Sequence, residues 1–316
     1  DGIVSDIAKI AQIVHRHGIP LIVDEAHGAH FAFHQDFPAS ALELGADVVI
    51  HSLHKTLPAM TQTALLHKKG DLVSTEKLEE FLGIYETSSP SYVLMGGISY
   101  CLRFLKEQST EQFELFSMRV KNARKQLCAM KVLHLVDFDF KVQQDIFDMD
   151  LSKFVISTMN APINGPQLHD ILRTKYHLEM EMEAEQYVLA LTSVMDSQEG
   201  FDRLVKALLE TDKSLWRKRQ QIHKYVSEDS KHTAKNQQKC AIWQAVEGIW
   251  ETVPLKESKG RISAEYAYLY PPGIPLLVPG EIISEEFLIQ AEHLRTQGMY
   301  LQGMKDYRQN TIRVLV

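Results

Sequence analysis

The chain has 316 residues, 45% hydrophobic and 24% charged, with 34 Lys+Arg against 41 Asp+Glu and a formal net charge of −7. That share of apolar side chains offsets the ordering entropy of folding and excludes a disordered chain; the acidic balance lacks the basic footprint that nucleic acid requires. No apolar run reaches the length of a membrane span, and Cys101, Cys128 and Cys240 are too far apart for a disulfide framework or a metal knuckle, so a reducing cytoplasm is the simplest home.

At roughly 150 residues per domain, this length accommodates about two domains. The chain starts Asp1-Gly2-Ile3, without Met or a signal peptide, which predicts residues upstream of Asp1. Residues 6–17 read as a helix: Ser5 or Asp6 caps it, Ile7, Ile10, Ala11 and Val14 recur at helical spacing, and Gly18 stops it. Pro20 to Asp24 is a short apolar run ending in a carboxylate, the pattern of a buried parallel strand. A second helix is predicted over Ala39–Leu44, closed by Gly45, then a strand at Val48–Ile50 and another at Thr63–Leu66. Helix and strand in alternation predict an α/β fold with a mainly parallel sheet.

From Tyr92 to Met130 the pattern is helical, with a restart at Thr110. A smaller α/β unit follows, with strands at Lys153–Ser157 and Tyr187–Leu191 and helices at Gln167–Tyr176 and Gly200–Tyr225. Ser227 to Gln238 is polar and reads as a linker. A last segment, Ala241 to Val316, carries Pro271-Pro272-Gly273-Ile274-Pro275 and Pro279-Gly280-Glu281.

Both early strands end in chemistry: Asp24-Glu25-Ala26-His27 after the first and His51-Ser52-Leu53-His54-Lys55 after the second. In an open α/β sheet the ligand sits beyond the carboxyl ends of the strands. A carboxylate and a lysine in one such crevice suit pyridoxal 5'-phosphate: Asp24 would keep the pyridine nitrogen protonated, and Lys55 would form the Schiff base.

The run Ser52-Leu53-His54-Lys55 resembles the Ser-x-His-Lys motif of the bacterial ornithine/lysine/arginine decarboxylases, fold-type-I, aspartate-aminotransferase-like enzymes. Val23 to His30 is similar to the cofactor-nitrogen strand of that family's shorter members, and Tyr270 to Pro275 with Pro279-Gly280-Glu281 to its C-terminal signature. The resemblance implies a cofactor site of Asp24, Ala26, His27, Ser52, His54, Lys55 and Ser88, with Lys55, Asp24 and His54 catalytic. Ala26 would pack under the ring. His27 stands where the family often has Trp and would contact the phenolic oxygen. Ser52 would bind the phosphate, and Thr87-Ser88-Ser89-Pro90 would reach a neighbouring subunit's phosphate, making the active unit a homodimer or a higher homo-oligomer. Glu281 would line the substrate entrance and attract the distal cation of a basic amino acid. The resemblance also implies diamine or polyamine synthesis.

It divides the chain into the C-terminal part of a large domain with its connecting helix (1–125), a small α/β domain (126–230) and a C-terminal decarboxylase domain (231–316). The family carries a phosphate loop and a ring-stacking residue well before its aspartate. Only 23 residues precede Asp24 here, so the expectation is an N-terminally truncated chain with weak or absent cofactor binding alone.

Other readings compete. Leu21 to His27 also has the shape of a DEAH-type NTPase strand, with Asp24 and Glu25 serving Mg²⁺ and water, but no phosphate loop is present in this sequence. His27, His30, His34, His51 and His54 invite a metal, yet no acidic third ligand is convincingly spaced, and none is assigned. Aminotransferases and other fold-type-I enzymes share the Asp and Lys, and a non-catalytic fragment is a further alternative.

Overall fold

Asp6 opens the first helix by accepting the backbone N–H of Lys9 through its side chain at 3.0 Å, the cap its sequence predicts. The computed structural model describes residues 1–137, 146–219, 236–270 and 273–316. Pro271 and Pro272 of the C-terminal signature, most of the predicted linker and the last residues of the helix predicted to Tyr225 lie outside them.

In chain order the elements are β1 (Ile3–Val4), α1 (Ile7–His15), β2 (Ile22–Asp24), β3 (Val48–Ser52), α2 (Leu53–Thr56), β4 (Ala64–Lys68), α3 (Thr75–Tyr85) and α4 (Tyr92–Leu127). They continue with β5 (His134–Leu135), β6 (Asp148–Met149), β7 (Lys153–Ser157), α5 (Gly165–Tyr176), β8 (Met182–Ala184), β9 (Tyr187–Leu191) and α6 (Gln198–Arg219). The last are α7 (Ile242–Glu247), β10 (Trp250–Pro254), β11 (Ala267–Tyr268), β12 (Pro275–Leu277), α8 (Glu285–Thr296) and β13 (Thr311–Leu315). The chain forms two compact units, Asp1–Ile156 with Leu189–Ser214, and Ser157–Val188 with Leu215–Val316. The expected boundaries at 125 and 230 rest on sequence alone.

In the first unit, β2 and β3 pair in parallel, Asp24 opposite Ile50, whereas β3 and β4 pair antiparallel. The sheet predicted to be mainly parallel is therefore mixed, because only the short loop from Leu57 to Thr63 follows α2, too short for a crossover to a parallel strand. Among the described residues β2 lies at one edge of this sheet, with Ile22 61% exposed. The helix predicted over Ala39–Leu44 is a hydrogen-bonded turn, with Ser40 O accepting from Glu43 N and Leu44 N. α4 runs unbroken through Thr110, capped by Ser91.

Val49, Ala41 and Ala46 form a small core with Ile7 and Val23 packed on it. A larger aromatic core stacks Phe33 on Phe113 and Phe37 on Phe116, and Phe201 from α6 meets Phe116 and Phe154. Phe113 and Phe116 are fully buried, each contributing about 2 kcal/mol by leaving water. β5, β7 and the end of β9 lie side by side in this unit.

The second unit holds β8 with the start of β9, α5, and the antiparallel pairs β10–β13 and β11–β12. Asn164 and Gln167 close a capping box on α5. Gly165 follows the cap, and a Cβ there would lie 1.9 Å from Ala184 O, so only glycine allows the close approach. Leu277, Ile283, Phe287, Ala291, Ile312 and Val314 make this unit's core around α8.

Candidate active site

The parallel pairing of β2 and β3 sets the site. The ladder continues one residue past β2, Glu25 N donating to Ile50 O at 3.0 Å. Beyond that point β2 turns through Ala26 and His27, while β3 turns into the single helical turn α2, which carries His54 and Lys55. Parallel strands bring their C-terminal ends to the same edge, so the two loops face each other.

Lys55 Nζ donates to His27 Nε2 at 2.9 Å. Burial, and then the positive charges of Lys55 and Lys153, lower the His27 pKa from 6.5 to about 4, against an opposing pull from Asp24. The His27 ring is therefore neutral near neutral pH, and the bond to Lys55 places its proton on Nδ1. Asp24 is exposed at the end of β2, with Oδ1 accepting from Ala26 N at 3.0 Å. His54 Nδ1 donates to Thr63 O at 3.0 Å, which fixes the ring's orientation. Ser52 precedes α2 and makes no side-chain capping bond, so its hydroxyl is available at the mouth of the turn. Asp24, Ala26, His27, Ser52, His54 and Lys55 are thus collected on one sheet edge.

Side chains without an assigned role in the sequence hold this edge in place. Glu25 turns into the protein: its carboxylate accepts from Ala41 N at 2.9 Å, Ser40 Oγ at 3.2 Å and His51 Nε2 at 2.7 Å. That occupation removes the second carboxylate which a DEAH-type site needs. Behind His27 lies a buried cluster. Lys153 Nζ donates to Asp150 Oδ2 at 2.9 Å and reaches His27 O at 3.4 Å. His30 Nε2 lies 3.4 Å from Asp150 Oδ2 and 3.3 Å from Ser152 Oγ. Burial alone would raise the Asp150 pKa, but His30 and Lys153 outweigh it and hold the carboxyl far below its usual range. Burial lowers the His30 pKa, with Asp150 opposing. The sequence signal for Lys153 was available: a lysine opening a buried strand, three residues after an aspartate, needs a partner.

The histidines do not converge. His30 meets Asp150, His34 Nε2 meets Glu114 at 2.9 Å and His51 meets Glu25; among the described residues no group of three metal-type ligands forms. Ser88 is exposed on the connection between α3 and α4, and the structure does not join it to Lys55 within this chain. Glu281 belongs to the second unit, where its Oε2 accepts from Val278 N at 3.0 Å and Asn236 Nδ2 at 3.3 Å. That oxygen closes its own turn.

Residues 1–155 match the model of the Orn/Lys/Arg decarboxylase major domain, and residues 219–305 that of its C-terminal domain. The arginine decarboxylase of Bacillus subtilis is 30% identical over 99% of this chain and 64% of its own length. The arginine decarboxylase of Halalkalibacterium halodurans is 32% identical over 99% of this chain and 63% of its length. The chain therefore spans under two thirds of these curated relatives. The solved constitutive lysine decarboxylase of E. coli superposes with a TM-score of 0.76 at 18% identity, covering 100% of this chain and 57% of the other, which shows a shared α/β fold. Among the described residues no helix is long and apolar enough to cross a membrane. Two domain matches in the family's own order, with Asp24 and Lys55 collected on one sheet edge of the first, establish that the chain belongs to the Orn/Lys/Arg decarboxylase family.

Proposed function

We propose that the protein carrying this chain decarboxylates a basic amino acid, lysine, arginine or ornithine, to its diamine or to agmatine, using pyridoxal 5'-phosphate at the C-terminal ends of β2 and β3. The observation that carries this reading is the Lys55 amine held by a neutral His27 at 2.9 Å beside the strand-end carboxylate of Asp24. The donor set fits the cofactor: a carboxylate for a pyridinium N–H, an amine for the aldehyde carbon, a free hydroxyl at Ser52 for the phosphate and the small Ala26 for the ring face. Bound there, the cofactor would supply the electron sink that decarboxylation needs.

The chain's own residues supply the rest. Asp24 holds the proton at the ring nitrogen. Among the described residues Lys55 has an imidazole and no carboxylate as its partner, so its amine is positioned without an ion pair to break. His54, fixed by Thr63 O, offers Nε2 as the base that takes up and returns a proton. Glu281 and Ser88 keep their proposed roles at the substrate entrance and at a second subunit's phosphate, in a homodimer or larger homo-oligomer located in the cytoplasm. The names of the relatives support a basic amino acid as substrate.

The test uses the protein as its gene encodes it, with pyridoxal phosphate added and L-lysine, L-arginine and L-ornithine offered in turn. Carbon dioxide release from one of them, lost by at least about 1000-fold in Lys55→Ala, supports the reading. Keto-acid formation without carbon dioxide would make the protein an aminotransferase, and full activity in Lys55→Ala would remove the site assignment.

A further inference from the structure

Lys153 opens β7 as a buried ammonium, its side chain 2% exposed. A lysine so placed has three N–H donors to satisfy. Three acceptors surround it: Asp150 Oδ2 at 2.9 Å, Ser152 Oγ at 3.4 Å and His27 O at 3.4 Å. Two of these are near neighbours in sequence, and the third lies 126 residues earlier, in the loop after β2. Asp150 is itself held from two further sides. Its N–H donates to Gly2 O at 2.7 Å, and its Oδ1 accepts from Ser152 N at 2.9 Å. The ammonium therefore has a fixed seat of its own and does not follow the loop.

His27 faces two lysines with two different groups. Its carbonyl meets Lys153, and its ring nitrogen Nε2 accepts from Lys55 Nζ at 2.9 Å. The loop is tied on either side of this residue, Glu25 N to Ile50 O at 3.0 Å and Gly28 N to Glu25 O at 2.8 Å. Among the described residues no backbone N–H reaches His27 O, so Lys153 is the donor that fixes it. We propose that Lys153 is a positioning residue for the reaction: anchored by Asp150, it clamps the His27 carbonyl and so sets where the imidazole meets the Lys55 amine. The inference rests on the proposed role of Lys55 and deepens it. Electrostatics acts in the same direction. The charged groups facing His27 are Lys55 from α2, Lys153 from β7, the amino group of Asp1 and, opposing them, the carboxylate of Asp24. The Lys153 charge helps to keep the ring neutral, the form whose lone pair accepts the Lys55 N–H.

The test compares the wild-type protein, as its gene encodes it, with Lys153→Met, which keeps an unbranched side chain and removes its donors. The Asp150→Asn/Lys153→Met pair also removes the carboxylate that the single change leaves without its ammonium, and circular dichroism checks the fold of both. The first readout needs no cofactor: the His27 ring is titrated by NMR on histidine-labelled protein, its signal identified as the one absent from His27→Gln. Its midpoint should rise from about 4 toward 6.5 in both variants. A lysine that served the fold alone would lower stability and leave this midpoint in place. The second readout is carbon dioxide release with pyridoxal phosphate added, where kcat of the pair should fall about 10-fold with KM little changed. An unmoved His27 midpoint in a folded variant, or an unchanged kcat in the pair, would overturn the inference alone. Full activity in Lys55→Ala would overturn the site assignment and this inference with it.

Discussion

Asp24 and Glu25 are neighbours with opposite placements. Asp24 ends β2 in the open, while Glu25 turns inward to Ala41 N, Ser40 Oγ and His51 Nε2. Glu25→Ala should cost about 3 kcal/mol in urea unfolding, because buried donors lose a charged acceptor. Asp24→Asn should stay within about 0.5 kcal/mol of wild type while lowering carbon dioxide release at least about 100-fold. Equal stability losses in the two variants would refute this division. His27 makes a second prediction. Its proton binds near 6.5 in the unfolded chain and near 4 in the folded one. Between those values the unfolded state holds more protons, so stability falls as the pH drops through this window, by at most about 1.4 kcal/mol per pH unit for one proton. Replacing His27 by Gln should flatten the pH dependence of unfolding by close to one proton, and an unchanged slope would count against the depressed pKa.

At the scale of elements, chain ends and loops show what local signals miss. The run Ala39–Leu44 has helical composition, yet Glu25 captures Ala41 N and Ser40 Oγ, and the segment closes as one turn before β3. After α4 the chain reverses where Asp212 of α6 accepts from the backbone N–H groups of Lys131, Val132 and Leu133. Three donors converge there on a side chain some 80 residues away. Asp212→Asn puts an NH₂ where acceptors are needed and should cost about 2 kcal/mol in thermal or urea unfolding. A loss no larger than that of an exposed Asp→Asn change such as Asp202→Asn would show that the loop holds without it.

At the scale of the molecule, the first unit is tied together by a buried ionic cluster. His30 lies just after β2, and Asp150 and Lys153 lie more than 100 residues on. Gly2 O accepts from Asp150 N at 2.7 Å. Gly2 has φ +89, and a Cβ there would meet the Lys153 side chain at 2.9 Å, so a side chain at that position would push on the cluster. Asp150→Asn should destabilise by about 3–5 kcal/mol, since it leaves Lys153 charged and buried. The Asp150→Asn/Lys153→Met pair should cost less than the two single changes together, measured as a double-mutant cycle in urea. Simple additivity would contradict the coupling. Because the Asp150 pKa is depressed, its contribution is complete above the ordinary carboxylate range and is lost only as the pH falls through and below it.

The sequence by itself determined the periodic elements and the chemistry at their ends. β7 and β9 lie where Lys153–Ser157 and Tyr187–Leu191 predict, α1 starts at its Asp6 cap, and the carboxylate and lysine after consecutive strands named a candidate cofactor site. These signals are local: a period, a cap, a run of apolar residues. Only the tertiary structure decided that Asp24 is open and Glu25 is buried, that β4 returns antiparallel, and that His27 holds Lys55. It alone brought Asp150 and Lys153 behind His27 and turned a Glu281 oxygen into its own loop. Each of these depends on partners dozens of residues away, and pairing at that distance is set by packing and by satisfying buried charge, which leave no periodic trace in the chain.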